Sequence, residues 1–184
     1  MSGTPPAEIV AHLSYGLGAI LRLPVDEYYG IVEPEKLPEE LDFPPASPRL
    51  YCVADKKRSG MHAHKIGSEK EIMVCVAGTA IIHLMNKDGS HFQIVLSREN
   101  DNKVSVRSIS GAHEVKLNID ADKKNHFFAL YVPDGIWHIV LYSKNTVLNV
   151  VASVIYDFSY YITDPEKYFT SEGLAQFMKT FPST

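Results

Sequence analysis

The runs Ala80-Ile81-Ile82-His83-Leu84-Met85 and His91-Phe92-Gln93-Ile94-Val95-Leu96 flank Asn86-Lys87-Asp88-Gly89-Ser90. β-Branched and apolar runs either side of an Asp-Gly turn read as a β-hairpin. The pattern repeats. Val104, Val106 and Ile109 face Val115, Leu117 and Ile119 across Ser110-Gly111, with alternation that leaves one face wet. Phe127–Val132 and Thr146–Val154 are apolar enough for central strands. Short strands at regular spacing predict an all-β sandwich or barrel. Helix is confined to the end: Asp164-Pro165-Glu166 reads as a cap with proline at the first helical position, and Ser171 as the cap of a helix burying Leu174, Phe177 and Met178. The five prolines between Glu33 and Pro48 predict an ordered loop.

At 184 residues the chain is expected to form one domain, 1–184. No segment approaches the ~18 unbroken apolar residues of a membrane span. The N-terminus shows no basic stretch followed by an apolar run, so a cytoplasmic protein is expected. A net charge of −4 argues against nucleic acid or an anionic membrane as partner. Cys52 and Cys75 lie in apolar runs and read as buried, inert thiols.

Residues two apart on a strand share a face, so His62 and His64 project together and Ala63 points away. Two such imidazoles can bind a metal, divide acid and base duties, or stand as surface histidines. Six residues separate His64 from Glu71, and six more separate Glu71 from Gly78. Pro133, Gly135 and His138 then give a Pro-x-Gly-x-x-His spacing. His-x-His, the spaced Glu and Gly, and Pro-x-Gly-x-x-His in this order resemble the paired motifs of the cupin superfamily. The resemblance implies a jelly-roll barrel with short terminal helices.

A narrower likeness runs through Arg49-Leu50-Tyr51-Cys52-Val53, Gly60–Lys65, Met73–Thr79, Leu130–His138, Val147–Ser153, Tyr156-Asp157 and Tyr160–Asp164. These segments resemble the TDP-4-keto-6-deoxyhexose 3,4-ketoisomerases, in order through most of residues 49–170. The resemblance implies a homodimer, a TDP-linked sugar as substrate and no metal. It makes His62 and His64 the base and proton-shuttle pair and Tyr51 a phenol facing the developing enolate oxygen. Arg49 and Arg58 suit a diphosphate. Lys65, Glu71, Tyr131, Trp137 and His138 complete the candidate substrate-binding set, although Tyr131 and Trp137 also read as packed core aromatics, for Tyr131 the favoured reading.

The chain also departs from the family. The family usually carries Arg-Gly-x-His, whereas Arg58-Ser59-Gly60-Met61-His62 sets the arginine one residue further back. The connection from His64 to Met73 is about two residues longer than the family's, and Glu71 stands where Gln is common. Residues 1–48 read as an extension and about 97–126 as an inserted hairpin. Two alternatives stay open: a metal-dependent dioxygenase or isomerase, which Glu71 favours, and a non-catalytic binder whose mouth the insertions reshape. In the first, His62, His64, Glu71 and His138 would suit one divalent transition metal; in the second, the chain would bind sugar nucleotides without catalysis.

Overall fold

The computed structural model describes residues 7–24, 37–44, 47–55, 57–99, 103–109, 117–120 and 126–182. Its strands are β1 (Glu8–Leu13), β2 (Gly18–Pro24), β3 (Ser47–Val53), β4 (Lys57–His64), β5 (Glu71–Ala77), β6 (Thr79–Met85) and β7 (His91–Ser97). They continue with β8 (Lys103–Ser108), β9 (Leu117–Asp120), β10 (His126–Val132), β11 (Trp137–Tyr142), β12 (Thr146–Ala152) and β13 (Tyr161–Ile162). One antiparallel sheet runs β1-β2-β10-β5-β12-β3, and the other β13-β4-β11-β6-β7-β8-β9. The chain is all-β in its core and crosses between the sheets at β3–β4, β4–β5, β5–β6, β9–β10, β10–β11, β11–β12 and β12–β13. That alternation sets His62, His64 and His138 opposite Arg49 and Glu71.

The main core lies between the sheets. Ile20, Met73, Leu130, Leu148 and Val150 from the first sheet meet Ile82, Leu84, Ile94, Leu96, Val106 and Val140 from the second. Both hairpins read from the sequence are present: β6 pairs β7 from Thr79↔Ser97 to Met85↔His91, and β8 pairs β9 from Lys103↔Asp120 to Val106↔Leu117. Their joining residues 110–116 lie outside the described residues.

Part of the stretch read as an N-terminal extension belongs to the first sheet. Strand β2 sits between β1 and β10, inside the first sheet. Ile20 faces the main core, whereas Ala19, Leu21 and Leu23 are buried on the outer face beneath Leu41, Leu37 and Phe43. Burying each such leucine contributes roughly 1.5–3 kcal/mol, so this strand is integral to the barrel.

Helix α1 (Pro165–Tyr168) and helix α2 (Ser171–Thr180) close the outer face of the second sheet. Asp164 caps α1 as the sequence suggested, accepting from the Glu166 amide at 3.0 Å. The α2 cap is Thr170, one residue earlier than Ser171, accepting from the Gly173 amide at 3.1 Å. Phe177 is buried and Leu174 packs against the cluster that holds Trp137, but Met178 is 44% exposed because it falls on the solvent side of the helix. Among the cysteines, Cys75 is buried and Cys52 is exposed, which corrects the expectation of two buried thiols.

Candidate active site

His62 and His64 lie on β4 and His138 on its neighbour β11, with His138 paired directly to His62. Two left-handed residues make this register. Gly60 (φ 79°) and Met61 (φ 61°) form a bulge, because Ile139 pairs with Gly60 while His138 pairs with His62. A Cβ on Gly60 would sit 2.9 Å from the His138 carbonyl oxygen, so the close approach requires glycine. The Pro133-Asp134-Gly135 turn is tied to the end of β4. The Gly135 amide donates to the His64 carbonyl at 2.9 Å, and the Gly67 amide donates to the Asp134 carboxylate. The Tyr168 hydroxyl donates to the Gly135 carbonyl at 2.6 Å. These contacts join the two halves of the motif.

The three imidazoles converge. His62 Nε2 lies 3.1 Å from His64 Nε2, and the His62 ring is centred 4.4 Å from His138. His64 donates from Nδ1 to the Glu69 carbonyl at 2.9 Å, and His138 from Nδ1 to the Ile136 carbonyl at 3.4 Å. Both therefore turn Nε2 inward. Burial lowers the pKa of His62 to about 4 and of His64 to about 3, the latter also opposed by the charge of His62. His138 is driven down by burial and by the other two histidines. All three are neutral, and hence proton acceptors, near pH 7.

A triad of one arginine and two acidic side chains faces them. Arg49 on β3 lies 2.6 Å from Glu69 and 3.4 Å from Glu71, with only 14% of its side chain exposed. Glu69 is fully buried and lies 3.9 Å from His64 Nε2. Glu71 lies 3.5 Å from His138 Nε2, and burial together with the Glu69 charge raises its pKa to about 8. Glu71 is therefore largely a neutral acid at pH 7. Sequence reasoning missed Glu69. It sits in the lengthened turn after His64, where nothing in its spacing marks it as buried.

A cavity of about 160 Å³ opens among Arg49, His62, Glu71, His138, Tyr156 and Tyr161. It is smaller than the ~300–1,000 Å³ that holds a drug-sized ligand. Ser59 and Tyr142, 2.7 Å apart, add a hydroxyl pair to its wall.

Four candidates lie elsewhere. Arg58 is exposed, because the bulge turns Ser59 rather than Arg58 to the inner face. Lys65 is exposed beyond the end of β4. Trp137 is on the face of β11 opposite His138, 1% exposed and packed on Tyr168, Phe169 and Phe177 at 5.3–5.6 Å. Tyr131 lies on the outer face of the first sheet, its hydroxyl donating to the Leu41 carbonyl at 3.3 Å and its ring edge-on to Phe43. The Tyr51 backbone pairs with Leu148, and its side chain lies outside the described residues. The structure thus brings together Arg49, His62, His64, Glu71 and His138, and adds Glu69 and Tyr161.

Residues 103–173 match the family model described as "FdtA: WxcM-like, C-terminal". No curated protein matches the chain significantly. Among solved structures, the fold is similar to QdtA, a sugar 3,4-ketoisomerase from Thermoanaerobacterium thermosaccharolyticum in complex with TDP. The TM-score is 0.54 at 18% identity, over 92% of this chain and 99% of that one. The WlaRB TDP-quinovose 3,4-ketoisomerase from Campylobacter jejuni gives 0.54 at 20% identity, over 80% and 95%. A dTDP-4-dehydrorhamnose 3,5-epimerase from Bacillus anthracis str. Ames, with TDP and PPi bound, gives 0.52 at 12% identity, over 84% and 82%. At these identities the likeness establishes the cupin-like fold. No helix among the described residues is long and apolar enough to cross a membrane.

Proposed function

We propose that this protein is a sugar-nucleotide isomerase, a 3,4-ketoisomerase acting on a TDP-4-keto-6-deoxyhexose. The observation that carries the reading is His62 on the cavity wall with His64 hydrogen-bonded 3.1 Å behind it. A neutral imidazole takes the proton from C3, beside the C4 carbonyl, and the charge passes to oxygen as an enediolate. The histidine pair returns a proton at C4 while the hydroxyl proton moves between the two oxygens. Positioned acid–base groups of this kind typically supply about 10²–10⁴-fold. The cavity suits the sugar ring and leaves the nucleotide outside, past the 55% exposed Tyr156. A homodimer in the cytoplasm belongs to the same proposal.

The test is incubation with TDP-4-keto-6-deoxyglucose in deuterated water, followed by proton NMR. Isomerisation exchanges the C3 or C4 hydrogen and accumulates a 3-keto product. Absence of both exchange and product over a range of pH would sink the reading.

A metal-dependent reading has its own support. His62, His64 and His138 offer ring nitrogens within 4.8 Å of one another, and a ring nitrogen of His64 lies equally close to carboxylate oxygens of Glu69 and Glu71. The buried Oε2 atoms of Glu69 and Glu71 have no hydrogen-bond partner. The residues fit a divalent transition metal held by His62, His64, His138 and Glu71, which would polarise a substrate oxygen as a Lewis acid. Arg49 favours the metal-free reading, because its guanidinium already supplies a positive charge beside both acidic side chains. Metal analysis of the purified protein separates the two: a stoichiometric transition metal whose removal abolishes exchange selects the metal reading.

A further inference from the structure

Tyr161 enters the site from β13, paired with His64 at the edge of the second sheet. Its ring stacks on His62, with centroids 4.2 Å apart and planes 17° from parallel. Its hydroxyl oxygen accepts from Arg49 Nη1 at 3.2 Å. A guanidinium can only donate, so the Tyr161 proton is left to be given elsewhere. Tyr161, His62 and Arg49 all line the same cavity. Burial and the nearby Glu69 charge raise the phenol's pKa, so it stays protonated across the working range.

We infer that Tyr161 is a catalytic residue: its hydroxyl donates to the oxygen that carries negative charge during enolisation, with Arg49, anchored by Glu69, as the positive charge behind it. The assignment rests on the ketoisomerase reading and replaces Tyr51 in the role of oxyanion donor. The base removes the proton from the carbon next to the carbonyl, so a donor stacked on that base is within reach of the oxygen. As the C3–H bond breaks, its proton goes to the imidazole and its electron pair forms C3=C4, leaving O4 negative. Tyr161 donates a hydrogen bond to O4 and keeps its proton. The O3 proton then moves to O4, the charge collapses to a C3 carbonyl, and C4 takes a proton from the imidazolium. The sum is an isomerisation with no co-reactant. Fixed donors aimed at developing charge are the effective kind, since they need no reorganisation as the reaction proceeds.

Tyr161→Phe keeps the ring stacked on His62 and removes only the hydroxyl. Wild type, Tyr161→Phe and Tyr51→Phe are compared for kcat, KM and melting temperature, with solvent-deuterium exchange as the second readout. Tyr161→Phe is expected to melt like wild type and to keep KM within about threefold. Its kcat falls by about 10²–10³, the usual cost of one oxyanion donor. Site-specific 3-fluorotyrosine at position 161, a stronger donor of nearly the same shape, restores turnover; a merely structural ring would leave kcat indifferent to these changes. If the wild type isomerises and Tyr161→Phe retains kcat within about threefold, the assignment fails while the ketoisomerase reading stands. A larger loss in Tyr51→Phe than in Tyr161→Phe also overturns it. If the wild type neither exchanges nor isomerises, the reading falls and takes this role with it.

Discussion

Two groups of buried histidines lie on opposite faces of the same sheet. Inside are His62, His64 and His138. Outside, under the end of α2, His83 and His91 share a 2.8 Å hydrogen bond, and Phe181 packs edge-on against His83 at 5.1 Å. Burial lowers the pKa of both outer histidines to about 4, much as it lowers the inner ones. A displaced pKa therefore does not by itself identify the working site. The inner group differs in facing a cavity and a buried Arg49–Glu69–Glu71 triad. The outer pair faces Phe181 and the Gln93 amide, with Arg107 next in register on β8. Convergent charge beside open space separates a reactive cluster from a packed one.

The contrast is most exposed to substitution. His62→Asn or His64→Asn is expected to abolish turnover, by at least about 10³-fold, with an unchanged circular dichroism spectrum. His83→Gln and His91→Gln should keep kcat within about threefold and lower only the melting temperature. Comparable kinetic losses in both groups would erase the distinction.

Next in size is Trp137→Ala, which should cost about 3–5 kcal/mol in denaturant unfolding. The surviving folded fraction should bind substrate with unaltered KM, because the indole faces α2 rather than the cavity. A raised KM would return Trp137 to the binding site.

The acid response comes third. The buried histidines have folded pKa values below the ordinary 6.5, so the unfolded chain binds more protons as pH falls. Their stabilisation is complete above about pH 6.5 and is lost progressively toward pH 4, by a few kcal/mol in total. Melting curves across that window should show the loss, and His83→Gln/His91→Gln should flatten it. Glu71 has the opposite sign. Its pKa is raised to about 8, so its favourable contribution is present in acid and is lost as pH rises from about 4.5 through 8. Glu71→Gln should therefore gain melting temperature relative to wild type as pH rises toward 8. This is the smallest effect, and a gain independent of pH would show Glu71 to be ionised in the folded protein.

Period-two alternation made the hairpins and the shared face of His62 and His64 readable, because a strand enforces that spacing wherever it occurs. The same rule places Trp137 opposite His138, and applying it there would have removed Trp137 from the binding set. Strand β2 escaped because Ala19-Ile20-Leu21 is buried on both faces and shows no alternation. Glu69 and Tyr161 acquire their meaning from partners 20 and 112 positions away, Arg49 in each case. Nothing local encodes such a contact. Arg58 was misplaced by a backbone event, and Gly60 was its one visible trace.

That event at Gly60 and Met61 works as a reading frame for β4. Strand faces alternate residue by residue, so the length of the segment before His62, more than its composition, selects which side chain lines the cavity. Deleting Ser59 would recreate Arg-Gly-x-His and move Arg58 into the inward position that Ser59 holds, exchanging a hydroxyl for a guanidinium while the histidines stay put. Substrate preference in such a barrel can thus change by insertion or deletion, a route that scans of point substitutions never sample.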